Sequence, residues 1–160
     1  MSVVVSDTSP LHYLVECEAI EVLPPLFGEV LIPPTVYREL QHENTPSAVR
    51  AWAEALPGWV KVQVPTVIDR SLNVDEGERE VICLAREVKA MAILIDDRKG
   101  RFQAVRCGLR VAGTIGILEA AATRGLVDFR AAIERLRETN ARLGDEVIQA
   151  ALARVQGRDD

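Results

Sequence analysis

Short aliphatic runs alternate along this chain with stretches whose apolar residues recur at helical spacing. Val3-Val4-Val5, Val30-Leu31-Ile32 and Ala92-Ile93-Leu94-Ile95 contain no polar residue between their members. Runs of that kind are strands buried on both faces, as in a parallel sheet. Val60, Val62 and Val64 alternate instead with Lys61 and Gln63, the pattern of a half-exposed edge strand. Leu109 to Ala112 predicts a further short strand.

Between these runs the period is helical. Ser6-Asp7-Thr8-Ser9-Pro10 closes the first strand; Pro10 suits a first helical position, with Ser9 or Thr8 as its cap. Leu11, Leu14 and Val15 then supply an inward face. A second short helix is expected from Ala19 to Leu23, ended by Pro24-Pro25. Further helices are predicted from Thr35 to about Leu40, from Pro46 to Leu56, and from Asp75 past Val88. Four more follow: Arg98 to Cys107, one capped by Thr114 through Ala122, one capped by Asp128 to about Arg137, and Asp145 to Val155. The order β-α-α-β-α-α-β-α-β-α-β-α-α-α predicts an α/β fold, a three-layer α/β/α sandwich around a central, mainly parallel sheet. Residues 1–156 are expected to form a single domain and 157–160 a tail, with no repeat, linker or low-complexity segment.

Composition narrows the classes. At 160 residues, with 48% hydrophobic and 27% charged, the chain can bury a core without staples. Aromatics make up only 4%, which argues against a platform of rings for single-stranded bases. A net charge of −5 gives no bulk attraction to nucleic acid, so a polyanion would need a local basic patch or metal ions. Cys17, Cys83 and Cys107 are odd in number and lack CxxC spacing, which predicts free thiols in a reducing compartment. No leader pattern and no membrane-length apolar run is visible, so a cytoplasmic protein without membrane association is expected.

The candidate chemistry lies in the acids. Asp7 ends the first strand, and Asp96-Asp97 ends the strand Ala92–Ile95. Glu78 shares the inward face of its helix with Val81, Ile82 and Ala85. Glu39 lies angularly beside Val36, since three residues turn a helix by about 300°. Helices that precede parallel strands begin at the carboxyl edge of the sheet, so these acids are expected to converge on one crevice. Crowded carboxylates cannot all stay ionised without compensation, and oxygen-only ligands favour Mg2+ or Mn2+. Such ions could serve an in-line phosphoryl displacement. Each acid also has a plainer reading: a turn at Asp7, a capping box between Asp75 and Glu78, an ion pair of Glu39 with Arg38 or Arg50, a helix cap at Asp96 or Asp97. Arg98, Lys99, Arg101, Arg106 and Arg110 form a dense basic cluster, readable as an RNA-backbone patch or as a solvated helix face. His12 and His42 read as surface residues.

Five segments in order carry a resemblance: Ser6-Asp7-Thr8-Ser9-Pro10-Leu11, Val36-Tyr37-Arg38-Glu39-Leu40, Leu72-Asn73-Val74-Asp75-Glu76-Gly77-Glu78, Leu94-Ile95-Asp96-Asp97-Arg98-Lys99-Gly100-Arg101 and Gly113-Thr114-Ile115-Gly116. From Val3 to about Leu126 the chain resembles the PIN-domain nucleases, close to the VapC-like toxins and their relatives of unassigned role. The resemblance implies a metal-dependent endoribonuclease, with metal on Asp7, Glu78 and Asp96 or Asp97, and Glu39 bordering the site. Ile95 departs from the pattern: many family members have a Thr two residues before the late acid, so which Asp is the ligand stays open. The resemblance further implies a homodimer and a small antitoxin partner. The rival expectations are an aspartyl-phosphate phosphohydrolase, weakened because Ser9 stands where a second Asp belongs, and a non-catalytic metal-binding module.

Overall fold

The computed structural model describes residues 2–139 and 144–159. Its five strands are β1 (Val3–Ser6), β2 (Glu29–Ile32), β3 (Val60–Val62), β4 (Ala92–Leu94) and β5 (Val111–Ala112). They form one sheet in the order β3-β2-β1-β4-β5, and every pairing is parallel. Helices flank the sheet, giving the α/β/α sandwich. The unbroken aliphatic runs occupy the three central strands, where both faces are covered. The alternating run lies at one edge, as its pattern demands. It is shorter than expected: Val60 is buried, whereas Val62 and Val64 stand exposed beyond the cover of any helix.

This order has a functional consequence. The chain lays strands outward from β1 to β3, then returns to place β4 on the other side of β1. The strand order therefore reverses between β1 and β4, where a crevice opens beyond the carboxyl ends. The register is tight there. Ser6 pairs with Leu94, and the Asp7 N–H donates to the Leu94 carbonyl at 2.8 Å. Asp7 and the residues after Leu94 consequently leave the sheet side by side.

The helices are α1 (Thr8–Glu16), α2 (Leu23–Phe27), α3 (Pro34–Leu40), α4 (Ser47–Glu54), α5 (Glu76–Val88), α6 (Arg98–Arg106), α7 (Thr114–Thr123), α8 (Phe129–Arg137) and α9 (Asp145–Asp159). One core cluster joins the strands to the inward faces of α1, α3, α5, α7 and α8. Several boundaries differ from expectation. α1 starts at Thr8, so Asp7 rather than Thr8 or Ser9 holds the cap position. Pro24 and Pro25 lie in the first turn of α2, where a missing N–H costs nothing, instead of ending the helix before them. A 3₁₀ turn at Ile20–Val22 leads in, and Gly28, at φ 78, lets the chain turn into β2. Thr114 is the first residue of α7, and Gly113 stands at its cap. Helix α9 continues to Asp159, through most of the expected tail; Asp160 lies outside the described residues.

Helix α3 begins at Pro33-Pro34 with no side-chain cap of its own. Glu80, a buried acid on α5, supplies one from across the fold. Its carboxylate accepts the Thr35 N–H at 3.4 Å and the Thr35 hydroxyl, while Arg38 Nη2 donates to the same hydroxyl oxygen at 2.9 Å. Glu80→Ala leaves those donors without an acceptor and should cost about 1–2 kcal/mol, as loss of a cap does. Urea unfolding is expected to show a lower midpoint with an unchanged slope.

Candidate active site

The acids of the crevice come from four places. Asp7 follows β1 and is buried, at 9% exposure. Glu78 lies in the first turn of α5 and is 5% exposed. Asp96 and Asp97 follow β4, the first half-buried and the second exposed at the cap of α6. Glu39 differs from its expected place. It is the sixth residue of α3 and, although it follows the buried Val36 by three residues, it is exposed. Glu39 is still drawn to the crevice, because its Oε2 accepts the Thr8 hydroxyl at 2.6 Å. No ion pair links it to Arg38 or Arg50 among the described residues.

Local donors hold Asp75, Glu78, Asp97 and Asp96. Asp75 Oδ1 accepts the Glu78 N–H at 2.8 Å and Glu78 Oε1 accepts the Asp75 N–H at 3.2 Å, a reciprocal capping box. Asp97 Oδ2 accepts the Gly100 N–H at 2.9 Å. Asp96 is fixed at both oxygens by one residue: the Thr114 N–H donates to Oδ1 at 2.7 Å and the Thr114 hydroxyl to Oδ2 at 2.8 Å. The plainer readings of Glu78 and Asp97 as capping acids are thus correct as geometry. They do not exclude a second task for the remaining oxygens.

Space for these side chains comes from glycines. A Cβ at Gly100 would stand 2.6 Å from Ile95 Cδ1 and 3.0 Å from Glu78 Oε2. A Cβ at Gly113 would stand 2.5 Å from Arg101 Nη1 and 3.0 Å from Asp96 Oδ1. Arg101 Nη1 itself donates to the Ile95 carbonyl at 3.3 Å, so this half-buried cation is turned toward the backbone between the acids and α7. Arg98 and Lys99 point outward and are exposed. Beside Asp96 and Asp97 opens a cleft of about 830 Å³, with Tyr13, Arg101, Thr114, Ile115 and Arg154 among its walls.

The electrostatics follow from burial without a cation. Asp7 is pushed from 3.8 up to about 7, first by burial and then by the charges of Asp75, Glu39 and Asp96, partly offset by the Thr8 backbone N–H. Glu78 is raised from 4.5 to about 7, again by burial first, with Asp75, Asp97 and Asp7 adding repulsion. Among the described residues, no Lys, Arg or His forms an ion pair with any of these six acids. Asp75 is therefore a member of the cluster that its capping role conceals in the sequence. The acids are within electrostatic reach of one another, yet they are not drawn into a ligand shell. No three Asp, Glu, His or Cys side chains among the described residues form a group that could hold a metal ion. Local donors explain this, since an N–H or hydroxyl engages Asp96, Asp97, Glu78 and Glu39 one by one. The donor chemistry fits a hard divalent cation all the same: oxygen only, several negative charges, no paired base.

A PIN-domain family profile matches residues 3–157 of the chain. The chain belongs to the PIN-domain family. No curated protein matches it. PIN domains are generally nucleases that act on nucleic acids and use divalent metals. The all-parallel sheet, with acids at the reversal between β1 and β4, gives this PIN domain a crevice suited to that class of chemistry. The remaining candidates stay outside it. His12 pairs with Glu16 on α1 at 2.6 Å, and His42 Nδ1 accepts the Asn44 N–H at 3.1 Å. Cys17 and Cys83 are buried and Cys107 is half-buried, all of them free, and burial pushes the Cys17 thiol up to about 11. Among the described residues, no helix is long and apolar enough to cross a membrane.

The raised acids set a pH dependence. Between about pH 4 and 7 the native protein keeps protons on Asp7 and Glu78 that the unfolded chain releases. The stability they contribute is full below about pH 4 and is lost as pH rises through 7. In chelator, the melting temperature should fall between pH 5 and pH 8, and Asp7→Asn should flatten that fall. Thermal scans by circular dichroism that show a flat or rising profile in the wild type would remove the charge strain assigned to the crevice.

Proposed function

We propose that this PIN domain is a Mg2+- or Mn2+-dependent endoribonuclease. The observation that supports the reading best is the pair of buried carboxyls, Asp7 and Glu78, facing other acids with no ion pair to either among the described residues. Structural acids gain nothing from such company, whereas ligands of a divalent ion require it. Asp7, Glu78, Asp96 and Asp97 would hold the metal, with Glu39 as a further ligand or water-orienting group. When bound, the ion supplies Lewis-acid stabilisation of the phosphoryl oxygens and an activated water.

The rest of the task falls to side chains of the chain itself. Thr114 fixes both oxygens of Asp96, and Thr8 steers Glu39, so neither acid must be ordered at the moment of reaction. Asp7 and Glu78 must release protons before they take up a cation, so metal affinity should rise with pH through about 7. Arg101, beside the cleft, and the exposed Arg98 and Lys99 would hold the RNA backbone near the acids. Within the same reading the chain acts as the toxin of a toxin–antitoxin pair, with a small antitoxin closing the crevice and two copies forming a homodimer. The family resemblance supports these last points.

The test combines cleavage and stability. With Mn2+, Asp7→Asn and Glu78→Gln should each lower cleavage of a labelled RNA more than about 100-fold, a loss at or beyond the upper end for supporting residues of metal sites. Both should stay folded, because Asn preserves shape and Gln can still complete the capping box. Manganese should stabilise the wild type by about 2.7 kcal/mol at a hundredfold excess over Kd. The gain should be smaller in Asp96→Asn or Asp97→Asn, and whichever variant loses more of it carries the closer ligand. Full RNA cleavage in folded Asp7→Asn and Glu78→Gln would defeat the proposal, as would turnover of a phosphomonoester but not of RNA.

A further inference from the structure

Helix α6 starts at the acid crevice, with Asp97 as its cap, and runs away from it along the surface. Its two sides differ. Arg101 turns in toward the Ile95 carbonyl, whereas Arg98, Lys99, Phe102 and Arg106 face outward, at the three- and four-residue spacings that line one side of a helix. Phe102 is 59% exposed and Val105 56%. The Arg106 guanidinium lies over the Phe102 ring, 5.8 Å from its centroid. A single exposed apolar residue is ordinary. An exposed aromatic ring flanked by cations on both sides, in a chain of net charge −5, is a more particular arrangement.

We propose that this outer stripe of α6 binds single-stranded RNA, with Phe102 stacking on an unpaired base while Arg98, Lys99 and Arg106 hold the neighbouring phosphates. The inference rests on the ribonuclease reading above and adds to it a binding stripe outside the acid crevice, with Phe102 as the residue that stacks on the strand. The charge decides between possible occupants. A second copy of the chain docking on this stripe through a two-fold axis would set the same three cations against themselves. A polyanion that carries π-faces satisfies ring and cations together. The scarcity of aromatics does not oppose this: one ring serves one base, and the cations carry the rest of the strand. A rise of about 1.5 Å per residue puts Phe102 roughly 7 Å and Arg106 roughly 13 Å along the axis from Asp97, so a strand on the stripe continues directly from the acids.

The experiment is fluorescence anisotropy of a labelled twelve-nucleotide oligouridine with the full chain in chelator, at several salt concentrations. Phe102→Ala should weaken binding about 5- to 100-fold, the range for loss of one stacked base, and Phe102→Trp should restore it. The salt slope should stay unchanged in Phe102→Ala. In Arg98→Gln/Lys99→Gln it should fall by about 0.7 for each cation removed. A duplex of the same length should bind more weakly than the single strand and be insensitive to Phe102→Ala. Wild-type affinity in Phe102→Ala overturns the inference, as does absence of oligouridine binding by the wild type. Sedimentation showing a dimer that Phe102→Ala dissociates, with oligouridine affinity intact, also overturns it and makes the stripe a protein interface. If Phe102-dependent binding is found but Mn2+ elicits no cleavage, the inference stands and the nuclease reading fails. Cleavage without any Phe102 dependence has the opposite meaning.

Discussion

The carboxylates gathered beyond β1 and β4 repel one another in a place where water is largely excluded from two of them, and the surrounding structure is arranged around that repulsion. Burial raises Asp7 and Glu78 before any neighbour acts, and Asp75, Glu39, Asp96 and Asp97 add to it. A core that needed only stability would place apolar side chains there, since an unpaired buried charge is costly. The parallel sheet imposes the location. The strand order reverses between β1 and β4, and a crevice opens there beyond the carboxyl edge.

What keeps the acids in place is a set of short polar contacts from elements far apart in the chain. The capping box of α5, the cap of α6 and the Thr114 contacts tie the acids to helix starts, where free N–H groups favour negative charge. Gly100 and Gly113 leave room for Glu78 and Asp96 where any side chain would press on them. Glu80 links α5 to the start of α3 and so fixes the distance between the helices that carry Glu78 and Glu39. Positioning and stability are thus supplied by the same bonds.

Much of this is legible in the sequence, for a reason that also marks its limit. Aliphatic runs leading to Asp7 and to Asp96-Asp97 expose both strand and acid, and helical spacing from Val81 and Ile82 reveals the inward turn of Glu78. These are local periodicities. Glu39 shows where they stop: it follows Val36 on α3 by three residues, yet Val36 is buried and Glu39 is exposed. Thr114 reads as a cap, and only the pairing of β4 with β5 shows that its donors go to Asp96 instead. Asp75 is hidden by its own cap role, and the partnership of Glu80 with Thr35 spans elements that no local pattern connects. Pro24-Pro25 misleads because proline ends one helix and starts another with equal ease.

The adjacency of β1 and β4 also bears on how the molecule comes into being. β1 pairs on one side with β2, which follows it closely, but its other edge must wait for β4. Pairings between distant segments form late, because the loop between them must be closed first. Asp7 therefore precedes Asp96 in the chain and stays without it until β4 is made, and Asp96 stays without the latch of Thr114 until α7 follows. Nothing in an unfinished chain brings these groups together. Whatever the crevice does, it needs the chain as far as α7, because the strand order sets Asp96 and its Thr114 contacts beside Asp7 only then.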